Sequence, residues 1–167
     1  MHVTSSLHKL ETTALHVAAR GAFLGPLIAR LTLGVAFVSS GWGKINNLDK
    51  VTEFFTELGI PAPHVQAVFV SWVELVCGAL VLLGLGTRLA SIPLICTMIV
   101  ALITAKAEEI AGVSDLVGTI EFTYIALASW LVLSGAGALS LDGVLARRSA
   151  SASASAPHGV PLSSSPS

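Results

Sequence analysis

The stretch FLGPLIARLTLGVAFVSSGWGK, residues 23–44, decides the fold of this chain. It is predominantly apolar, and its only charged residues are Arg30 inside it and Lys44 at its end. A helix needs about 20 such residues to cross a ~30 Å hydrocarbon core. Three further runs of the same kind follow at about 65–86, 89–105 and 116–136. Backbone groups cannot stay unpaired in lipid, so spanning segments are helices or strands of a closed barrel. These runs are too long and too continuously apolar for barrel strands. The sequence therefore predicts an all-α, integral membrane four-helix bundle. The third run is the shortest and contains Pro93, which predicts a kink and either extended ends or a locally thinned bilayer.

The whole chain agrees with that reading. Of 167 residues, 53% are hydrophobic and 11% charged, with a mean hydropathy of +0.81. A soluble domain carries roughly 25% charged residues. The net charge of −1, without a basic patch, argues against nucleic acid as a partner. Membrane lipid is the partner that the composition implies. The start lacks the short apolar core and small-residue cleavage site of a secretory signal, because its first twenty residues stay polar.

Around the membrane domain, residues 23–146, the polar segments divide into three. In residues 1–22, Leu7, Leu10, Ala14 and Val17 recur at helical spacing. This fits an amphipathic helix on the membrane surface, or a frayed tail. Between the first two spans, Leu48, Val51, Phe54, Phe55 and Leu58 form an apolar stripe that predicts a short interfacial helix. Asn47 can cap its start, and Gly59, Pro61 and Pro63 end it. Spans two and three are joined only by Thr87 and Arg88, a tight antiparallel hairpin. Residues 147–167 form a Ser/Ala/Pro tail with almost nothing to bury, for which disorder is expected.

Lys and Arg placement sets the expected orientation. One side holds Lys9, Arg20, Arg88, Arg147 and Arg148; the other holds Lys44, Lys50 and Lys106 among six acids. The more basic side is predicted to be cytoplasmic, which puts both termini inside.

Three ionisable residues fall within the spans: Arg30, Glu74 and Glu121. A central Arg or Asp costs about 2.5–3.5 kcal/mol on insertion, so such residues are functional candidates by default. Arg30, Gly34, Phe37, Gly41 and Lys44 fall within ~80° of one another on a helix. Glu74, Gly78, Val81, Leu85 and Arg88 repeat those offsets. Glycines on such a face let helices approach closely, which also makes a homo-oligomer feasible. At ~1.5 Å rise per residue, Glu74, Glu121 and Lys44 reach the outer half of the bundle, with Arg30 beneath them. A polar pocket of these residues is one expectation; buried ion pairs that only set helix register are a second, and lipid-facing side chains that snorkel to the interface are a third.

Other chemistry finds less support. Cys77 and Cys96 come at similar depth on adjacent helices, and either a redox pair or two free apolar thiols fits. No basic neighbour is evident to activate them. The five histidines all lie outside the spans, which argues against a bis-His haem, and no metal-ligand cluster is visible. Trp42, Trp72 and Trp130 read as interface or packing residues.

These residues together resemble the DoxX family. ARLTLGVAFVSSGWGKI (29–45) is similar to its Arg, Gly and Gly-x-x-Lys pattern through Arg30, Gly34, Gly41 and Lys44. FFTELGIPAP (54–63) resembles its interfacial segment, matching Phe54, Gly59 and Pro61. WVELVCGALVLLGLGTRLA (72–90) resembles its second span through Glu74, Gly78, Gly84 and Arg88. Glu121 and GAGALSLDGVL (135–145) resemble its last span and exit, with Gly135, Ser140, Leu141 and Asp142 matching. The resemblance covers about residues 24–148 in order. One position departs: many members carry His before the Gly of Gly-x-x-Lys, and here it is Ser40. A proton-transfer role for that His does not carry over.

The resemblance implies a four-span bundle in a bacterial cytoplasmic membrane, linked to redox work. Three functional expectations follow. In the first, the chain is a membrane subunit of a redox complex, with Glu74 and Glu121 as catalytic proton-carrying groups. Arg30, Lys44 and Gly41 would then bind a quinone, with no metal or haem. In the second, it is a scaffold that anchors soluble oxidoreductases at the cytoplasmic face without chemistry of its own. In the third, it is a small proton-coupled transporter, although no repeat or broken-helix pair is visible.

Overall fold

A computed structural model describes residues 24–137 and 140–143. The expectations for residues 1–22 and 147–167 lie outside the described residues. The helices are α1 (Leu24–Ile45), α2 (Leu48–Glu57), α3 (Pro63–Leu83), α4 (Thr87–Thr104), α5 (Val113–Gly118) and α6 (Ile120–Ser134). A single 3₁₀ turn, Ala107–Glu109, lies between α4 and α5. The predicted all-α membrane bundle is what the chain forms. Helices α1, α3 and α4 are each long and apolar enough to cross a membrane, and α6 is a shorter apolar helix of 15 residues.

Glycine sets how closely α1 and α3 pack. A Cβ on Gly41 would lie 2.5 Å from the Leu75 nitrogen and 2.8 Å from the Ser71 oxygen. A Cβ on Gly78 would lie 2.9 Å from both Phe37 Cβ and the Val38 nitrogen. With no side chain at these crossings, backbone meets backbone, which is how helices associate where lipid supplies no hydrophobic drive. Helices α4 and α6 close the other side. Leu33, Phe37, Val81, Leu94 and Leu131 form the shared core, and the Phe37 and Tyr124 rings meet at 5.5 Å. Outward, large apolar side chains such as Ile28, Leu89 and Leu133 are exposed along the helices, as a lipid-facing surface requires.

Two predicted boundaries move. The turn between α3 and α4 is Gly84–Gly86, and Thr87 and Arg88 already belong to α4. Gly84 and Gly86 hold φ of 72° and 56°, a left-handed conformation that only glycine adopts cheaply. The Leu85 N–H bonds back to the Leu80 carbonyl at 2.9 Å, closing α3 as a Schellman turn. Leu85 carries the hydropathy through this turn, so apolarity alone overran the helix end.

The fourth span is not continuous. Thr119 is extended, with ψ of 147°, and its hydroxyl accepts the Phe122 N–H at 3.2 Å. Thr is a strong N-cap and a weak helix interior residue, and Gly118 before it is weaker still. The chain therefore restarts here, leaving α6 only ~22 Å long. At α2, the Asn47 side chain donates to the Gly43 carbonyl (2.9 Å) and does not cap the helix. Helix α4 is one element from Thr87 to Thr104, with Pro93 inside it.

Candidate functional site

The intramembrane charges separate into two clusters at opposite ends of α1. Arg30 and Lys44 are fourteen positions apart, ~21 Å along the helix.

At the Lys44 end, Glu74 on α3 is 1% exposed and receives both its partners from α1. Lys44 forms an ion pair and hydrogen bond with Glu74 Oε1, and Ser40 Oγ donates to Oε2 at 2.8 Å. Ser40 and Lys44 are i and i+4, one above the other on the helix face. Gly41 on the same turn lets α3 come close enough for both to reach Glu74. A buried carboxylate is tolerated only when paired and hydrogen-bonded, and here both oxygens are. The cluster is not sealed. The Lys44 side chain is 28% exposed, and Ser40 is exposed. An ammonium has three donors, and the structure commits one to Glu74.

At the other end, Arg30 is 3% exposed and anchors backbone. It donates to the carbonyls of Val81, Leu82 and Ala136, each at 3.0 Å. The first two lie in the last turn of α3, where carbonyls lack i+4 partners within the helix and a cation complements the negative end of the dipole; the Val81 carbonyl also accepts the Gly84 N–H at 3.1 Å. Asp142 completes this end. Its N–H bonds the Gly84 carbonyl at 3.1 Å, and its Oδ1 accepts the Gly86 N–H at 3.0 Å. Arg88 repeats the device on α6, donating to the Leu133 carbonyl at 3.2 Å.

The sequence reading grouped Arg30, Lys44, Glu74 and Glu121. The structure brings together Lys44 and Glu74, with Gly41 beside them, and holds Arg30 far away. Glu121 is half-buried in the first turn of α6, where a negative charge suits the helix dipole. Its field acts on Lys106 in the loop after α4. The Lys106 ammonium is held above its ordinary range, chiefly by its hydrogen bond to Glu109, then by the charges of Glu109 and Glu121. Ser40 is the member that sequence reasoning did not place in the site. Its signal was available: it stands one turn before Lys44 on the glycine-bearing face.

Both cysteines are free. Cys77 packs against the core, whereas Cys96 is exposed on α4. Among the described residues no group of His, Cys, Asp and Glu is arranged to hold a metal.

Comparison with known proteins agrees with this architecture. The DoxX family profile matches residues 25–107. The chain is 31% identical to the Bacillus subtilis protein named "Putative oxidoreductase CatD", over 71% of this chain and 85% of that one. It is 35% identical to the Mycobacterium tuberculosis "Uncharacterized membrane protein Rv3486", covering 71% and 80%. It is 30% identical to the Escherichia coli "Inner membrane protein YphA", covering 75% and 91%. No solved structure matches the chain significantly.

Proposed function

This chain belongs to the DoxX family of membrane proteins, and from that premise we propose that it is the membrane subunit of a redox assembly. In this reading Lys44, Glu74 and Ser40 form a hydrogen-bonding and proton-exchange site for a quinone head group. The observation that carries the proposal is Glu74: a carboxylate 1% exposed within a membrane helix, fixed by two donors on the neighbouring helix. The exposure of Ser40 and of the Lys44 side chain beside this carboxylate supports the reading, because it leaves the cluster open to a ligand.

The donor set fits a carbonyl-bearing ring. Lys44 offers ammonium donors, Ser40 offers a hydroxyl, and Glu74 can give or take a proton between them. A bound quinone supplies a two-electron, two-proton acceptor. In this reading the electrons come from a partner oxidoreductase; the redox character itself is in keeping with the name of the Bacillus subtilis relative, "Putative oxidoreductase CatD". Ser40 is exposed on a membrane-spanning helix, which suits access by a lipid-soluble substrate. Arg30 is not part of this site, because its bonds are spent on backbone carbonyls. Glu121 acts on the loop of Lys106, at the start of α6. We further infer a bacterial cytoplasmic membrane location, with the Arg30 end facing the cytoplasm.

The break at Thr119 is the one observation that favours transport, since discontinuous helices are common in transporters. No second break occurs in α1, α3 or α4. Gentle detergent extraction from native membranes, followed by identification of co-purifying proteins, separates the readings. Soluble oxidoreductases in near-equal amounts support a redox assembly. A protein that purifies alone overturns it, and proton-dependent uptake by proteoliposomes then supports transport.

A further inference from the structure

A second feature lies away from the charged clusters. Helices α2, α3 and α4 enclose an apolar groove of about 480 Å³. Its walls include Phe54 and Phe55 of α2, Phe69 and Val73 of α3, and Pro93 and Cys96 of α4. The Glu74 cluster faces α1 instead, so the two sites are on different faces of α3. The volume falls in the ~300–1,000 Å³ range of small-molecule sites. On α4 the groove extends from Pro93 to Thr104, ~16 Å along the axis. Because α3 and α4 are membrane spans, the surrounding medium is hydrocarbon, and an apolar void of this kind does not hold water.

We propose that this groove binds the hydrocarbon chain of a single-chain membrane amphiphile whose uncharged head hydrogen-bonds Gln66. Three observations point to that occupant. First, among the described residues no Asp, Glu, Lys, Arg or His lines the groove. Second, Gln66 stands in the first turn of α3, at the same end as Ala105, and its amide makes no side-chain hydrogen bond among the described residues. The other polar side chains of the wall, Thr97 and Thr104, already donate to Leu94 (2.9 Å) and Val100 (2.7 Å). A half-buried amide at the groove mouth matches a head with one carbonyl or hydroxyl. Third, α2 carries exposed Asp49, Glu53 and Glu57 against the single cation Lys50. This net negative helix, which also supplies Phe54 and Phe55 to the groove wall, disfavours the anionic heads of acidic phospholipids and fatty acids near it. The proposal does not rest on the redox reading.

The test uses the full chain in phospholipid nanodiscs and a monoacylglycerol with a diazirine in its chain, with crosslinks mapped by mass spectrometry. The expected result is adducts concentrated at Val73, Cys96 and Val100, competed by plain monoacylglycerol about tenfold better than by phosphatidylglycerol. Cys96→Trp fills the groove and should remove most of these adducts while labelling near Leu133, on the lipid-facing side of α6, is unchanged. Cys96→Ser should leave them intact. Gln66→Leu, which adds no bulk, should weaken competition by about tenfold. Labelling spread evenly over lipid-facing residues and not saturable overturns the proposal. So does equal competition by phosphatidylglycerol, or unchanged labelling in both Cys96→Trp and Gln66→Leu.

Discussion

Arg30 on α1 donates from Nε to the carbonyl of Val81 on α3 at 3.0 Å, joining residues 51 positions apart. The same guanidinium reaches Leu82 and, across the bundle, Ala136. One side chain thus ties the end of α3 to the exit of α6. The predicted consequence is that Arg30→Lys does not substitute. An ammonium is a point donor without the planar fork that spans several carbonyls, and each lost charged hydrogen bond costs about 1.5–3 kcal/mol. Thermal unfolding in detergent should show a loss of several degrees for Arg30→Lys and more for Arg30→Met. Equal stability of Arg30→Lys and wild type would refute this role.

Two glycines on the same helix should behave oppositely. Gly41→Ala places a methyl 2.5 Å from the Leu75 nitrogen, so α1 and α3 must separate. Overpacking of this kind costs about 1–3 kcal/mol, and the separation also moves Lys44 from Glu74. A methyl on Gly43 would meet nothing within 4 Å, so Gly43→Ala should gain about 0.5–1 kcal/mol of helix propensity. Denaturant titration of the two variants checks the sign of each.

The Lys44–Glu74 pair is predicted to be strongly non-additive in stability. Removing either partner leaves a charge within the membrane uncompensated, at about 3–5 kcal/mol. Lys44→Gln/Glu74→Gln together should recover most of that loss, since two amides can hydrogen-bond each other. A double-mutant cycle on unfolding free energy measures this coupling, and additive effects would contradict it.

The loop after α4 gives a pH prediction. Lys106 has its pKa raised, first by its hydrogen bond to Glu109. A cation stabilised this way contributes below its ordinary value near 10.5, and the contribution disappears as pH rises through the higher folded value. The effect is therefore confined to alkaline pH. Glu109→Gln should lower the Lys106 pKa more than Glu121→Gln does, as read by NMR titration of methylated lysine. The reverse order would contradict the assignment.

Much of the fold was legible because apolar runs report directly on membrane spans. The faces were legible too: Arg30, Gly34, Phe37 and Gly41 share one stripe and are all buried. Glu74, Gly78 and Val81 are buried on the matching stripe of α3. That stripe fails at Leu85 and Arg88, both exposed, because Gly84 has already reversed the chain. The break at Thr119 was hidden for a similar reason, since hydropathy does not register a helix cap. The site was half legible. Periodicity gave the faces of Lys44 and Glu74, but not which groups a long arginine would satisfy. Arg30 reaches backbone carbonyls, which carry no sequence signal. Ser40 entered the sequence reading as a departure from the family pattern, although its place one turn before Lys44 signalled the face on which its hydroxyl meets Glu74.

The most direct test of the redox reading is equilibrium binding of a decyl-chain ubiquinone to the purified full chain, comparing wild type with Glu74→Gln at matched helical content. The account predicts saturable binding by wild type and at least about a tenfold weaker affinity for Glu74→Gln. Equal binding by both, or no binding by a well-folded wild type, would contradict the assignment of Lys44, Glu74 and Ser40 as a quinone site.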